Sequence, residues 1–241
     1  IKTLLLGAAA STAFASTAFA DAHAGARARD GELKIIYWQA PSILNPFLSG
    51  GTKDVHAASM IIEPLARYDA SGALTAWLVD EVPTVANGGV SADLQSITWK
   101  ISEGLLWSDG TAFTANDVVF TANYCMDPES GCAQVTKFEG VTNVEAIDDL
   151  TVKVTFDKPT PFPYGPFTGH ESPIIQAAQF ADCVGAAAPT CTDQNFGPIG
   201  TGPFVVTEFR TNDVIQMVAN ENYRVAGKPA FASVTFKGGG D

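Results

Sequence analysis

Positive charge is scarce in this chain. Its 241 residues hold 14 Lys and Arg against 26 Asp and Glu, a formal net charge of −12, and no basic cluster interrupts that balance. An acidic surface repels phosphate backbones, so nucleic acid is not an expected partner. Histidine is scarcer still, at three residues. His23 lies in a small polar stretch, His56 in a helical segment and His170 in a Gly-rich loop. His170-Glu171 lacks the second histidine of a metalloprotease motif. Helical spacing would bring together only His56 and Glu63, two turns apart, and a surface or packing role is the simpler reading. No metal site and no cofactor is expected.

Catalytic signatures are equally thin. Gly89-Val-Ser-Ala-Asp93 begins like a nucleophile elbow but lacks its final glycine, so Ser91 reads as a turn residue. Gly200-Thr-Gly-Pro-Phe204 begins like a dinucleotide fingerprint, but Pro203 and the missing third glycine spoil it, and a strand follows. The paired carboxylates Asp80-Glu81 and Asp148-Asp149 are sequence neighbours on turns, where side chains diverge. The expectation is a chain that is not an enzyme.

Four cysteines are present. Cys125 and Cys132 bracket a Met-Asp-Pro-Glu-Ser-Gly turn, and Cys183 and Cys191 bracket a Gly/Ala/Pro loop. Neither pair has zinc-knuckle spacing or a histidine nearby. Three pairings are open to four cysteines, and short separation favours the two local disulfides in an oxidising compartment. The N-terminus agrees with export. Lys2, a short apolar core over residues 3–10 and Ala18-Phe-Ala20 before Asp21 read as a signal peptide over residues 1–20, too short to span a membrane. Residues 21–30 read as a flexible leader.

Beyond them the pattern is mixed α and β, richer in strand. Residues 33–38 are apolar and β-prone. Pro41 and Asn45-Pro46 impose a loop, and a helix is expected over 54–63, stopped by Pro64. Residues 65–68 lead into an Asp69-Ala-Ser-Gly72 turn. Ile97, Trp99 and Ile101 alternate with polar residues, as do Val152, Val154 and Phe156, which indicates antiparallel strands with one buried face. Trp99 and Trp107 therefore read as packing residues. Over 114–126 a helix opens on a capping box, Thr114 with Asp117, and carries an apolar stripe from Val118, Val119 and Ala122. A further helix is expected over 174–184, then strands over 204–209, 214–219 and around 234–236.

The run Gly104-Leu-Leu-Trp-Ser-Asp-Gly-Thr-Ala-Phe-Thr-Ala-Asn-Asp-Val-Val-Phe-Thr121 and the downstream Pro198-Ile-Gly-Thr-Gly-Pro-Phe204 carry a resemblance. With Trp38-Gln-Ala-Pro-Ser-Ile-Leu-Asn-Pro46, Glu63-Pro-Leu-Ala-Arg-Tyr-Asp69, Gly227-Lys-Pro229 and Lys237-Gly-Gly-Gly-Asp241, they resemble the bacterial extracellular solute-binding proteins of the peptide/nickel family (family 5). The resemblance implies an α/β, periplasmic binding protein-like bilobal fold of type II with an extra inserted domain. Residues 31–60 and 197–241 would share lobe I, residues 61–196 would form the inserted α+β domain, and the second lobe would lie beyond 241. It also implies a monomeric periplasmic receptor that takes a small solute, a short peptide foremost, to an ABC permease–ATPase complex. A nickel chelate, haem, oligosaccharide or opine is the alternative ligand, and a secreted hydrolase fragment the more remote reading. By the same resemblance the end of the first strand faces the cleft, where α/β sheets present ligands. Trp38 would stack on the solute, Gln39 and Ala40 would contact it, and Pro41 would keep the backbone before it extended. Gly51 and Thr52 would offer backbone amides.

Overall fold

The first and last strands among the described residues share one sheet. In this computed structural model, which describes residues 31–239, the first strand β1 (Glu32–Tyr37) runs parallel to the last, β9 (Ser233–Gly238), from Glu32 opposite Ser233 to Tyr37 opposite Gly238. The hairpin β7 (Phe204–Arg210) and β8 (Val214–Ala219) completes the antiparallel remainder in the order β1-β9-β8-β7. Alternation decides its faces. Val234 and Phe236 on β9 and Ile215 and Met217 on β8 are buried, while Ile36 on β1 points outward at 82% exposure. The expected signal peptide over 1–20 and leader over 21–30 lie outside the described residues.

Between these strands the chain builds separate sheets. β2 (Ala66–Tyr68) pairs with β3 (Leu74–Ala76) around the Asp69 turn. β4 (Ser96–Lys100), β5 (Val141–Asp148) and β6 (Thr151–Phe156) form an antiparallel sheet in the order β4-β6-β5. Helix α2 (Ala115–Met126) lies against β5 and β6. Its capping box is present: the Asp117 carboxylate accepts the Thr114 amide at 2.9 Å. The same buried carboxylate accepts the Ala177 amide at 2.9 Å and the Trp107 indole N–H at 3.3 Å. One side chain thus ties the turn at 107, the start of α2 and the segment near 177. Trp99 and Trp107 are buried as packing residues. Both local disulfides form, Cys125–Cys132 and Cys183–Cys191.

Two helices depart from expectation. The one expected over 54–63 is α1 (Thr52–Ala58). It starts earlier because Gly51 accepts the Asp54 and Val55 amides, and it ends early because the Met60 and Ile61 carbonyls accept amides of Phe204 and Gly202. The one expected over 174–184 shrinks to α3 (Ala177–Phe180). Ahead of it the amides of Ile174, Ile175 and Ala177 donate to Glu63 O, Thr121 Oγ1 and Asp117 Oδ1. These bonds hold the segment extended as far as Gln176, at ψ 120°, so the helix begins only at Ala177. A last short helix, α4 (Thr192–Phe196), precedes the return of the chain to the main sheet. That return needs glycine: a Cβ on Gly200 would stand 1.8 Å from the Ile61 carbonyl oxygen. No helix among the described residues is long and apolar enough to cross a membrane.

Candidate functional site

Because β1 and β9 are parallel, their carboxyl ends open on the same edge of the sheet. There the chain leaving β1 crosses Gly238 so closely that a Cβ would fall 2.1 Å from the Ala40 nitrogen. The crossing leaves an open groove of about 620 Å³ lined by Gln39, Ala40, Lys53, Asn212, Asp213 and Lys237 with the backbone of Gly238 and Gly239. Its size falls in the range of small-ligand pockets, roughly 300–1,000 Å³. Asn212 stands at φ +61°, and its amide donates to Pro41 O at 3.1 Å, which pins the β7–β8 turn against the loop after β1.

One buried carboxylate braces the segment that carries Lys53. Asp54 accepts from the Ser42 amide at 2.7 Å, the Ser49 hydroxyl at 2.7 Å and the Lys53 ammonium at 3.0 Å. Burial alone would raise its pKa, but the hydrogen bonds from Ser49, Ser42 and Lys53 outweigh that and hold it below the usual carboxylate range. Lys53 also donates to Ser42 Oγ at 2.8 Å, so its ammonium is held at the rim of the groove.

The five expected site residues divide. Gln39 and Ala40 line the groove, and Trp38 stands beside them 63% exposed, which rules out a core role for it. Gly51 and Thr52 are not among the lining residues. The Gly51 amide donates to Ser49 Oγ at 3.0 Å and its carbonyl receives the first turn of α1, so its polar groups serve the helix start from which Lys53 reaches the groove. Lys53, Asn212, Asp213 and Lys237 were not foreseen. The short connection between the strands expected over 204–209 and 214–219 holds Asn212 and Asp213 but says nothing of a ligand.

Histidine is the larger surprise. His56 does not meet Glu63, because α1 ends between them. Glu63 is fully buried and accepts from Trp77 Nε1 at 2.8 Å, Thr201 Oγ1 at 3.0 Å and the Arg224 guanidinium, with Arg67 at 3.6 Å. His56 instead lies 5.3 Å, ring centre to ring centre, from His170, and its Nδ1 is 2.8 Å from the Tyr37 hydroxyl. Burial lowers the His170 pKa, Glu171 opposes the shift, and His56, Lys137 and Arg67 add to it. The ring is therefore held neutral at neutral pH. Ser91 is a turn residue, its hydroxyl donating to Asp93 at 2.6 Å and accepting the Gln95 and Ser96 amides.

Residues 75–241 match the bacterial extracellular solute-binding proteins, family 5. The chain belongs to that family. Among curated relatives, Protein XP55 of Streptomyces lividans is 31% identical over 195 residues, covering 81% of this chain and 33% of that protein. Glutathione-binding protein GsiB of Pectobacterium atrosepticum is 26% identical over 148 residues, covering 61% and 27%. Among solved structures, the ABC transporter substrate-binding protein CtaP of Listeria monocytogenes superposes with a TM-score of 0.74 at 27% identity, over 88% of this chain and 41% of that one. The oligopeptide-binding protein AppA of Bacillus subtilis, solved with a nonapeptide, shares the fold with a TM-score of 0.75 at 22% identity, over 87% and 40%. The fold of this family 5 chain is thus that of the periplasmic binding proteins, and the chain spans about a third of the curated relatives it matches.

Proposed function

We propose that this family 5 chain contributes one face of the solute cleft in a periplasmic receptor that captures short peptides and delivers them to an ABC permease–ATPase complex. The observation that carries the reading is the groove at the joined carboxyl ends of β1 and β9, flanked by the exposed Trp38. The groove offers amide and charged side chains and strand-end backbone, and the exposed Trp38 preceding Gln39 adds an aromatic surface, which suits a polar, extended, partly apolar solute. Trp38 stacks on that solute, and Gln39 and Ala40 contact it. Gly51 and Thr52 act through α1 by placing Lys53. Similarity to glutathione-binding proteins supports a short peptide over other solutes.

In the same reading, residues 31–60 and 197–241 share lobe I and residues 61–196 form an inserted domain, which agrees with the separation of the four-stranded sheet from the β2–β6 strands. Binding draws on closure, since the solute stabilises whichever arrangement it contacts more. No step of bond making is needed.

Native mass spectrometry of the secreted full-length protein with a pool of di- to pentapeptides tests this. Peptide adducts that vanish in the Trp38→Ala/Gln39→Ala variant are the expected result. A retained haem, metal chelate or sugar mass with no peptide adduct overturns it. Haem has a specific claim as that outcome, because heme-binding protein A of Haemophilus influenzae is 32% identical over 152 residues.

A further inference from the structure

On a chain of net charge −12, the groove is lined by two lysines and only one carboxylate: Lys53 and Lys237 against Asp213. Asp213 is already engaged, because its Oδ2 accepts from Arg210 Nε at 2.9 Å. Lys53 is engaged in part. Its ammonium carries three N–H donors. Ser42 Oγ at 2.8 Å and Asp54 Oδ1 at 3.0 Å take two of them, which leaves one for whatever enters the groove. Lys237 is exposed and has no ion pair with another described residue. Paired off in this way, the charges cancel except at Lys237, so the groove offers a cation that nothing among the described residues neutralises.

Register sets that cation beside an apolar surface. Lys237 stands opposite Ile36 in the parallel pairing of β1 with β9, and side chains opposite one another share a face of the sheet. Ile36 is 82% exposed, and Trp38, one residue past the end of β1, is 63% exposed. The side-chain amides of Gln39 and Asn212 line the same groove. Asn212 is held in place by its own amide, which donates to Pro41 O at 3.1 Å. Ammonium and amide donors at one end, with apolar side chains beyond them, match a carboxylate followed by hydrocarbon or aromatic groups. A carboxylate has two oxygens and about four lone-pair sites, enough to accept from both lysines and an amide together.

We propose, on the peptide reading given above, that the solute is held by its C-terminal carboxylate, which accepts from Lys53 and Lys237 while the residues before it run over Ile36 and Trp38. The reverse orientation would bring an ammonium against two lysines, with the one carboxylate in the groove already bonded to Arg210. Among peptides of varied sequence the C-terminus is the one carboxylate that every member carries. The contact therefore fixes the direction of the chain without reading its side chains.

Two pools of the same di- to pentapeptides, one of free acids and one C-terminally amidated, test this on the full-length protein at neutral pH. Adducts are found by native mass spectrometry, and each peptide that forms one is then titrated by calorimetry. A free acid should bind at least about 10-fold more tightly than its amide, the scale of one hydrogen bond to a charged group. Lys237→Met should remove most of that ratio, and Lys53→Met should reduce it. Lys237 is the cleaner variant, because Lys53 also braces Asp54. Lys34→Met, exposed on the same face of β1 nearer its start and paired with Glu32 at 3.2 Å, should leave the ratio unchanged. Equal binding of acid and amide, or a ratio that survives in Lys237→Met with its circular dichroism intact, overturns the proposal. Peptide adducts in either case leave the proposed function standing, whereas adducts from neither pool overturn both.

Discussion

Replacing Glu63 by Ala should destabilise the protein more than any change at the groove. Glu63 is fully buried and is the shared acceptor of Trp77, Thr201 and Arg224, with Arg67 alongside. The two guanidiniums have side chains only 18% and 29% exposed and flank the same indole, Arg67 at 3.9 Å and Arg224 at 5.0 Å from its centre. Arg67 Nε is already buried without a hydrogen-bond partner, so Glu63 is what compensates that side chain. Removing the carboxylate leaves two neighbouring cations half desolvated and an indole N–H unsatisfied. Breaking a buried pair from one side costs about 3–5 kcal/mol. At about 2–4 °C per kcal/mol for a domain of this size, a loss of about 4 kcal/mol lowers Tm by roughly 8–16 °C. Glu63→Gln keeps the shape but turns an amide donor toward other donors, for a smaller loss of about 1.5–3 kcal/mol. Urea unfolding followed by tryptophan fluorescence and far-UV circular dichroism measures both. A loss below about 1 kcal/mol for Glu63→Ala would refute the view that this carboxylate joins the two parts of the chain.

Three further outcomes follow from the same contacts. Reducing the disulfides, which span 7 and 8 residues, should cost about 2.5 kcal/mol each from loop entropy, read as a lower urea midpoint in dithiothreitol. Gly200→Ala should lose about 1–3 kcal/mol or more, since its Cβ meets the Ile61 carbonyl at 1.8 Å and one backbone segment must yield; an unchanged midpoint would contradict the close passage. Asp54 has its folded pKa lowered, so its stabilisation is complete above the unfolded value of about 3.9 and is lost as pH falls through the folded one. The acid limb of a stability–pH curve should therefore flatten in Asp54→Asn, and a limb parallel to that of the parent protein would assign the acid loss to other groups.

How far the sequence disclosed this arrangement depends on the range of the interactions. Strand alternation at Ile97, Trp99 and Ile101 and the Thr114–Asp117 capping box are local signals, and each led to the observed element. The helix expected over 174–184 begins only at Ala177 because bonds to Glu63, Thr121 and Asp117, partners dozens of residues away, hold the residues before it extended. β5 went unforeseen because its face is nearly all exposed, which leaves no period-two apolar signal. At the site, Trp38, Gln39 and Ala40 were legible as a strand end followed by Pro41. The groove's other wall was not, because Asn212, Asp213 and Lys237 reach it only through the parallel pairing of the first and last strands. The meeting of His56 with His170 had no sequence signal at all.

The long-range contacts also constrain how the described residues can move relative to one another. Glu63 joins the segment around β2 and β3 to Thr201 and Arg224, and the returning chain is stitched to Met60 and Ile61 by the amides of Phe204 and Gly202. Separating the β2–β6 strands from the main sheet would break those bonds and expose a buried carboxylate together, at a cost of several kcal/mol. Domain motion that binds and releases a solute works with differences of a few kcal/mol between states. A hinge at this seam would therefore spend most of that difference on its own rupture. In the proposed receptor, the residues from β1 to β9 consequently travel as one body, and Trp38, Gln39 and the His56–His170 pair keep their mutual geometry in both open and closed forms.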